Sequence, residues 1–263
     1  MRKIIVINQK GGVGKTTTVA NLGAALAELG REVLLVDADP QANLSLHFGA
    51  ELAEGEPSLY TLVRAEDAPE DVIRHTAVPG LKLIPASIDL AGLGVELSDT
   101  PDRLLAMRRA LEALPDSYDY MLIDSPPSLG ILTLNAVCAV EEVFIPLQTE
   151  FFALQGLGKL LRTLGRVKRA ANKSLRVTGV VACKHDARTC LGKEILDDIH
   201  SHFGRRVFKT IVRQNVRLAE APGFGLPITE YDPECHGAQD YRALAREVVA
   251  MEKVGARPAA KAG

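Results

Sequence analysis

The residues with the most evident chemistry form a glycine-rich segment near the start of the chain. Gly11, Gly12 and Gly14 surround a short turn that leads directly into Lys15 and Thr16. Glycines allow backbone N–H groups to converge on phosphate oxygens. A lysine at this spacing reaches the β- and γ-phosphates, and the hydroxyl group that follows it binds Mg²⁺. The segment therefore predicts a nucleotide-binding site made of Gln9, Lys10, Gly11, Gly12, Val13, Gly14, Lys15, Thr16 and Thr17.

The elements around this segment support the prediction. The apolar run at residues 3–8 is typical of a buried strand, and residues 15–29 have the pattern of a helix. A strand, a glycine-rich turn and a helix in this order form the context in which a phosphate-loop motif is credible. The N-terminus of the helix adds the positive end of its dipole.

Three carboxylates follow two further apolar strands. Asp124 ends the run at residues 120–124, and Asp37 and Asp39 end the run at residues 32–39. Ligands of open α/β sheets bind beyond the carboxyl ends of the strands. We therefore predict that Asp124 holds the Mg²⁺ shell beside Thr16. A carboxylate after the second strand is suited to orient a water molecule toward the γ-phosphate.

Near-continuous apolar strands separated by helices predict the fold. This pattern is typical of a parallel sheet covered on both faces. We predict a doubly wound, mostly parallel α/β sheet flanked by helices, with one domain at residues 1–253 and a flexible tail at residues 254–263. Strands are expected near residues 81–85, 143–147, 177–183 and 207–212, and helices near 101–114, 131–140, 155–170, 189–203 and 237–252.

The glycine-rich segment departs from the usual motif in an informative way. Gln9 stands at the position of the first glycine, and a second lysine, Lys10, precedes the glycine pair. This segment resembles the deviant Walker A loop of the ParA/Soj, MinD and nitrogenase iron protein family. Residues 83–92 and 210–232 are also similar to segments of the chromosomal Soj-type partition ATPases. No cysteine follows closely after Asp124, which argues against iron–sulfur ligation of the nitrogenase type.

The resemblance implies a phosphate-loop ATPase that uses ATP and Mg²⁺. It assigns catalysis to Lys10, Lys15 and Asp39 and metal binding to Thr16, Asp39 and Asp124. In the family, the extra lysine reaches the partner's nucleotide across a dimer interface, so Lys10 is expected to act in trans. Asp39 would position the water and Asp37 would lie nearer the metal shell or be structural, although the opposite assignment stays open.

The distribution of charge predicts a surface for a polyanion. Residues 1–150 carry 11 Lys and Arg against 22 Asp and Glu, whereas residues 151–235 carry 15 against 8. A basic second half on an acidic chain suggests one face for a polyanion, and a merely solvated basic surface is the alternative. The densest basic segment contains five residues, namely Arg205, Arg206, Lys209, Arg213 and Arg217.

The resemblance also implies the partners of this protein. We expect an ATP-dependent homodimer that binds double-stranded DNA non-specifically through those five residues, and a ParB-like activator that stimulates slow ATP hydrolysis. Glu234 and His236 stand where relatives usually carry basic residues, so DNA affinity is expected to be weaker or pH-dependent. We expect a cytoplasmic, nucleoid-associated protein.

Three alternatives remain open at this level. A MinD-like membrane-surface ATPase would need a C-terminal helix with basic and bulky apolar faces, which residues 251–258 lack. A ParA-like positioning protein for a non-DNA cargo would share the same site. GTP in place of ATP would use Asp186 to recognise guanine, and residues 212–215 are further candidates for contact with the base.

Overall fold

A single eight-stranded sheet organises the chain. We analysed a computed structural model, which describes residues 1–97, 100, 102–150, 154–185 and 189–255. The strands are β1 (Arg2–Val6), β2 (Val33–Asp37), β3 (Arg74–His75), β4 (Leu81–Ile84), β5 (Tyr120–Asp124), β6 (Glu142–Gln148), β7 (Arg176–His185) and β8 (Val207–Arg213). Their order is β3-β4-β2-β5-β1-β6-β7-β8. All neighbours pair in parallel except β3 and β4, which confirms the predicted fold class.

Eleven helices connect and cover the strands in the described part of the chain. They are α1 (Lys15–Glu28), α2 (Asn43–His47), α3 (Leu59–Val63), α4 (Leu90–Glu96), α5 (Ala106–Glu112), α6 (Ile131–Cys138), α7 (Leu157–Ala170), α8 (Cys190–Phe203), α9 (Arg217–Glu220), α10 (Ile228–Tyr231) and α11 (His236–Gly255). Two short 3₁₀ turns, Gly204–Arg206 and Ala221–Phe224, complete the set.

Two apolar clusters lie on opposite faces of the sheet. Successive residues of a strand point to opposite faces, and in β1 Ile4 and Val6 belong to one cluster while Ile5 belongs to the other. Helices α1 and α11 cover the first face, and α5 to α8 cover the second. Because central strands are buried on both faces, their sequences are continuously apolar rather than alternating.

The structure differs from the sequence predictions in several places, one of which is the connection between β4 and β5. A helix was predicted over residues 101–114, but α5 begins only at Ala106. Asp102 has a φ of 61°, a left-handed conformation that an α-helix does not accommodate. Helix α4, which precedes this region, was not predicted because Gly92 and Gly94 lower its intrinsic helix propensity.

At the C-terminus, α11 continues to Gly255, and residues 256–263 of the predicted tail lie outside the described residues. No helix in the described part of the chain has the length and apolar character needed to cross a bilayer.

Candidate nucleotide site

The predicted phosphate loop lies between the end of β1 and the start of α1. Gly12 and Gly14 have φ angles of 71° and 92°, which are left-handed conformations that favour glycine. A Cβ atom added at Gly11, Gly12 or Gly14 would meet no atom within 4 Å. The loop therefore surrounds open space rather than packed protein, as a site for phosphate groups requires.

The parallel register brings two of the predicted carboxylates to the same edge. Val6 and Asp37 are both register partners of Asp124 on neighbouring strands. The Thr16 hydroxyl donates to Asp124 Oδ2 at 2.6 Å, so two of the three predicted metal-binding groups are in contact. Lys15, Thr16 and Asp39 line a cavity of about 350 Å³ together with Gly11, Gly12, Gly14 and Thr17.

Asp37 and Asp39 have different surroundings. Asp37 is fully buried, and its Oδ2 accepts bonds from the backbone N–H and the hydroxyl of Ser45 at 2.9 and 2.8 Å. Its Oδ1 accepts the N–H of Asp39 at 3.1 Å. Asp37 therefore anchors the start of α2. Asp39, in contrast, faces the cavity, where it could act on a bound nucleotide.

The electrostatics of the site fit a divalent cation. Burial raises the pKa of Asp124 to about 8, and the neighbouring Asp37 and Asp39 add to this shift, while the bond from Thr16 and the charge of Lys15 oppose it. Burial also raises the pKa of Asp37 to about 6. Burial lowers the pKa of Lys15, against the attraction of Asp124 and Asp39. A bound Mg²⁺ would oppose the upward shift at Asp124, because a nearby cation favours the ionised form of a carboxyl group.

The same residues define how such an ion is held. Among the described residues, no cluster of three His, Cys, Asp or Glu side chains could hold a metal ion alone. Mg²⁺ commonly takes one or two carboxylates and completes its shell with water and substrate phosphates. Thr16 and Asp124 fit this role, so the cation is expected to bind together with the nucleotide.

A second cavity adjoins the first. It has a volume of about 340 Å³ and shares Gly14, Thr17 and Lys184 with the cavity at the phosphate loop. Its other walls are Cys183, Tyr241 and the segment from Val212 to Ala219, which includes the predicted residues 212–215. A nucleotide with its phosphates on the loop has room here for its base. Asp186, the other candidate for contact with the base, lies outside the described residues.

Lys10 lies on the surface beside the loop. Its ammonium group is 2.8 Å from Glu150 Oε2, and 41% of its side chain is exposed. The preceding residue, Gln9, has a buried Nε2 that finds no hydrogen-bond partner among the described residues. Lys10 therefore pairs with Glu150 and does not line the phosphate cavity of its own chain.

Two residues of the site were not predicted. Gln148, at the end of β6, donates to the carbonyl oxygen of Gly12 at 3.0 Å, and Lys184, near the end of β7, donates to the same oxygen at 2.7 Å. Lys184 has a φ of 50°, which is uncommon outside glycine. Both residues are more than 130 positions from Gly12. Sequence spacing does not show that β1, β6 and β7 are consecutive in the sheet, so these contacts could not be predicted. The strand predicted at residues 177–183 nevertheless ends next to Lys184.

The five predicted DNA-binding residues are divided between the two ends of β8. Arg205 and Arg206 precede the strand and are exposed, and Lys209 is exposed within it. At the other end, Arg213 forms a bidentate pair with Asp240, at 2.6 Å for the shortest contact. Arg217 pairs with Glu220 at 2.9 Å and with Asp232 at 3.4 Å. Arg205, Arg206 and Lys209 therefore form no ion pair with the described residues, although Arg206 donates to the carbonyl oxygen of Phe203, whereas Arg213 and Arg217 are ion-paired.

Comparisons with known proteins identify relatives over nearly the whole chain. The model of the AAA domain family matches residues 1–177. The chain is 49% identical over 251 residues to the chromosome-partitioning ATPase Soj of Treponema pallidum, with 95% of this chain and 98% of the relative covered. It is 46% identical over 255 residues to the chromosome partitioning protein ParA of Caulobacter vibrioides NA1000 / CB15N, with 96% of each covered.

Solved structures show the same fold. A Mycobacterium smegmatis protein described as cobyrinic acid a,c-diamide synthase, with a bound ATP analogue and magnesium, superposes with a TM-score of 0.85 at 36% identity and 97% coverage of both chains. The cell division ATPase MinD of Pyrococcus furiosus gives a TM-score of 0.77 at 28% identity, with 95% of this chain and 99% of that chain covered.

Proposed function

Since the chain belongs to the Soj/ParA family of chromosome-partitioning ATPases, we propose that it is a nucleotide-timed DNA-binding dimer. As a member of this family it is an ATPase that uses ATP and Mg²⁺. Its higher identity to the partitioning proteins favours this activity over the synthase activity named for the Mycobacterium relative. ATP binding would join two chains, the dimer would bind DNA without sequence preference, and a ParB-like partner would stimulate hydrolysis and release.

The position of Lys10 is the observation that supports the dimer most directly. Its ammonium group contacts Glu150 instead of its own phosphate cavity. Two large apolar side chains that follow the carboxyl ends of β2 and β4, Leu46 and Ile88, are exposed and line one cavity. Grouped exposed apolar side chains commonly mark interaction surfaces. A second copy docked at this edge would cover them and place Lys10 next to the partner's nucleotide.

The proposed chemistry uses the residues of one chain in distinct roles. The loop N–H groups and Lys15 would bind the phosphates, and Thr16 and Asp124 would hold Mg²⁺, which neutralises charge that develops during phosphoryl transfer. Asp39 would orient the attacking water from the cavity wall. Asp37 would keep α2 and Asp39 in place through Ser45.

The deciding experiment measures dimerisation and DNA binding together. We expect ATP with Mg²⁺, but not ADP, to produce a dimer by light scattering and to induce binding to random-sequence duplex DNA. Lys15→Ala should abolish nucleotide binding, Lys10→Ala should bind ATP without dimerising, and Asp39→Ala should form a long-lived dimer on DNA. ATP-dependent binding to lipid vesicles in place of DNA would instead support the membrane alternative. A protein that shows neither dimer nor DNA binding with ATP would contradict the proposal.

A further inference from the structure

Helix α7 presents an exposed face that carries only positive charge. Five of its 14 residues are Lys or Arg and none is Asp or Glu. The basic face of α7, as we call it, consists of Lys159, Arg162, Arg166 and Arg169, and Lys168 lies between this face and the buried side; all five side chains are exposed. The opposite side of the helix, with Leu157, Leu160, Leu164 and Val167, is buried in the apolar cluster.

The charges of this face are not neutralised within the protein. Among the described residues, none of the five side chains forms an ion pair within 4.0 Å. Lys159, Arg162, Arg166 and Arg169 follow one another at spacings of three and four, which places them along one side of the helix. Like charges at this spacing repel and destabilise a helix. An anionic partner would remove this repulsion.

The basic face continues toward the residues that precede β8. A groove of about 580 Å³ separates α7 from the start of β7 and the 3₁₀ turn, and Lys168, Arg176 and Arg206 line it. Two carboxylates near this groove are hydrogen-bonded to other residues, although Glu142 also interacts electrostatically with Arg176. Glu142 is bonded to Arg2 and Thr178, and Glu252 to Arg31 and Tyr120. The exposed acids of α8, Glu194, Asp197 and Asp198, form no ion pair with the basic face among the described contacts.

We propose that the basic face of α7, together with Arg176, Arg205 and Arg206, is a docking surface for the phosphate backbone of duplex DNA. This inference rests on the proposed function, since it assigns the surface that the DNA contacts. The stripe from Lys159 to Arg169 spans about 15 Å, over which a duplex presents about nine phosphate charges. Phosphate contacts are independent of sequence.

Duplex DNA fits this surface better than a membrane. A helix that binds a lipid surface inserts its apolar side between the lipids, but the apolar side of α7 is already buried in the protein core. The exposed face offers guanidinium and ammonium groups with few apolar side chains among them. Such a face is suited to the phosphate groups on the outside of a duplex.

The test removes three charges and measures the salt dependence of binding. The variant Arg162→Gln, Arg166→Gln, Arg169→Gln keeps a good helix-forming side chain at each position. With ATP and Mg²⁺ present, we expect at least tenfold weaker binding to a random-sequence duplex. Because each phosphate contact contributes about 0.9 to the slope of log K against log salt, the slope should decrease in magnitude by about 3. Triple substitution of the same residues by Lys should keep most of the affinity.

A matched control removes three positive charges from the acidic half of the chain. Arg74→Gln, Arg108→Gln, Arg109→Gln should leave the slope unchanged, and circular dichroism melts should show that both triple variants are folded. If the unmodified protein binds DNA and the α7 variant binds with the same affinity and slope, the inference is wrong while the proposed function stands. If the unmodified protein binds no DNA with ATP, both are wrong. Binding of anionic phosphatidylglycerol vesicles that is lost in the α7 variant, with DNA binding unchanged, would assign the surface to a membrane instead.

Discussion

Lys184 and Gln148 act on the nucleotide site through a single backbone atom. Both donate to the carbonyl oxygen of Gly12, at 2.7 and 3.0 Å. A loop that turns its N–H groups toward phosphates must turn its carbonyl oxygens away from them, and these two donors hold one such oxygen in place. Because the donors come from β6 and β7, the conformation of the loop depends on two strands that follow it late in the sequence.

The first prediction concerns Lys184. Lys184→Met removes the bond and a positive charge near the phosphates, so we expect the Kd for ATP and ADP to rise roughly fivefold. Titration calorimetry would measure this, with the exposed lysine variant Lys193→Met as the control. In the double variant Gln148→Leu, Lys184→Met, the loss of binding free energy should differ from the sum of the losses in the two single variants. Both side chains donate to the same oxygen, so their effects are coupled. Unchanged affinity in the Lys184 variant would show that the contact does not support the loop.

His47 provides a second residue-scale prediction, on pH. Burial lowers its pKa to about 4, against the bond between its Nε2 and the carbonyl oxygen of Leu226 at 3.1 Å. Since a carbonyl only accepts, Nε2 carries the proton and the ring is neutral. The unfolded chain, with a pKa near 6.5, binds more protons than the folded chain between pH 6.5 and pH 4. Protonation of His47 should therefore lower the free energy of unfolding by about 3 kcal/mol as the pH falls through that window.

Urea unfolding at several pH values would check the effect of His47. In His47→Gln, the free energy of unfolding should fall less steeply between pH 6.5 and pH 4 than in the unmodified protein. The exposed His75→Gln variant serves as the control and should keep the original slope. Identical slopes in all three proteins would show that His47 is not held neutral by the fold.

At the scale of elements, α11 protects the edge strand of the sheet. Among the described strands, β8 pairs only with β7 and lies at the edge of the sheet. Glu247 of α11 accepts the backbone N–H groups of Lys209 and Thr210 at 2.9 and 2.6 Å, and Asp240 accepts that of Arg213 at 2.9 Å. Edge strands with unpaired N–H groups favour pairing with other chains. The carboxylates of α11 thus occupy donors that would otherwise promote aggregation.

The third prediction follows from this arrangement. Glu247→Ala leaves two backbone donors without their partner, so we expect a loss of about 2 kcal/mol in stability and faster aggregation on heating. Thermal unfolding and light scattering would measure the two effects. The exposed Glu234→Ala on the same side of the molecule should change neither by more than about 0.5 kcal/mol. A Glu247 variant that matches this control would contradict the protective role.

Local patterns predicted elements well where apolar periodicity and glycine turns coincide, as in β1, the phosphate loop and α1. They do not reveal contacts between distant parts of the chain. The five basic residues around β8 were chosen by density in the sequence, but density does not show that Arg213 pairs with Asp240 of α11. The sequence of α7 shows basic residues at spacings of three and four without acids. Only the structure shows that the opposite side of the helix is buried, which leaves the basic residues on the exposed side.

For the whole molecule, the strand order separates early parts of the sequence from their partners. Strand β1 lies between β5 and β6, which are more than a hundred residues later in the chain. Contacts between distant parts of a sequence slow folding because the loop between them must be closed first.

Charge is also distributed unevenly along the chain. The acidic first half builds most of the nucleotide site, and the basic second half supplies the proposed DNA surface.

The central position of β1 has a consequence for the newborn chain. The phosphate loop leaves the ribosome before β5 and β6, yet these two strands are the neighbours of β1 in the sheet. We predict that stalled nascent chains gain protease resistance from added ATP only when about 185 residues, through β7, are outside the ribosome, since Lys184 and Gln148 complete the loop. Protection of chains that end before β5 would contradict this order. Translation would then set the moment at which the protein first responds to ATP.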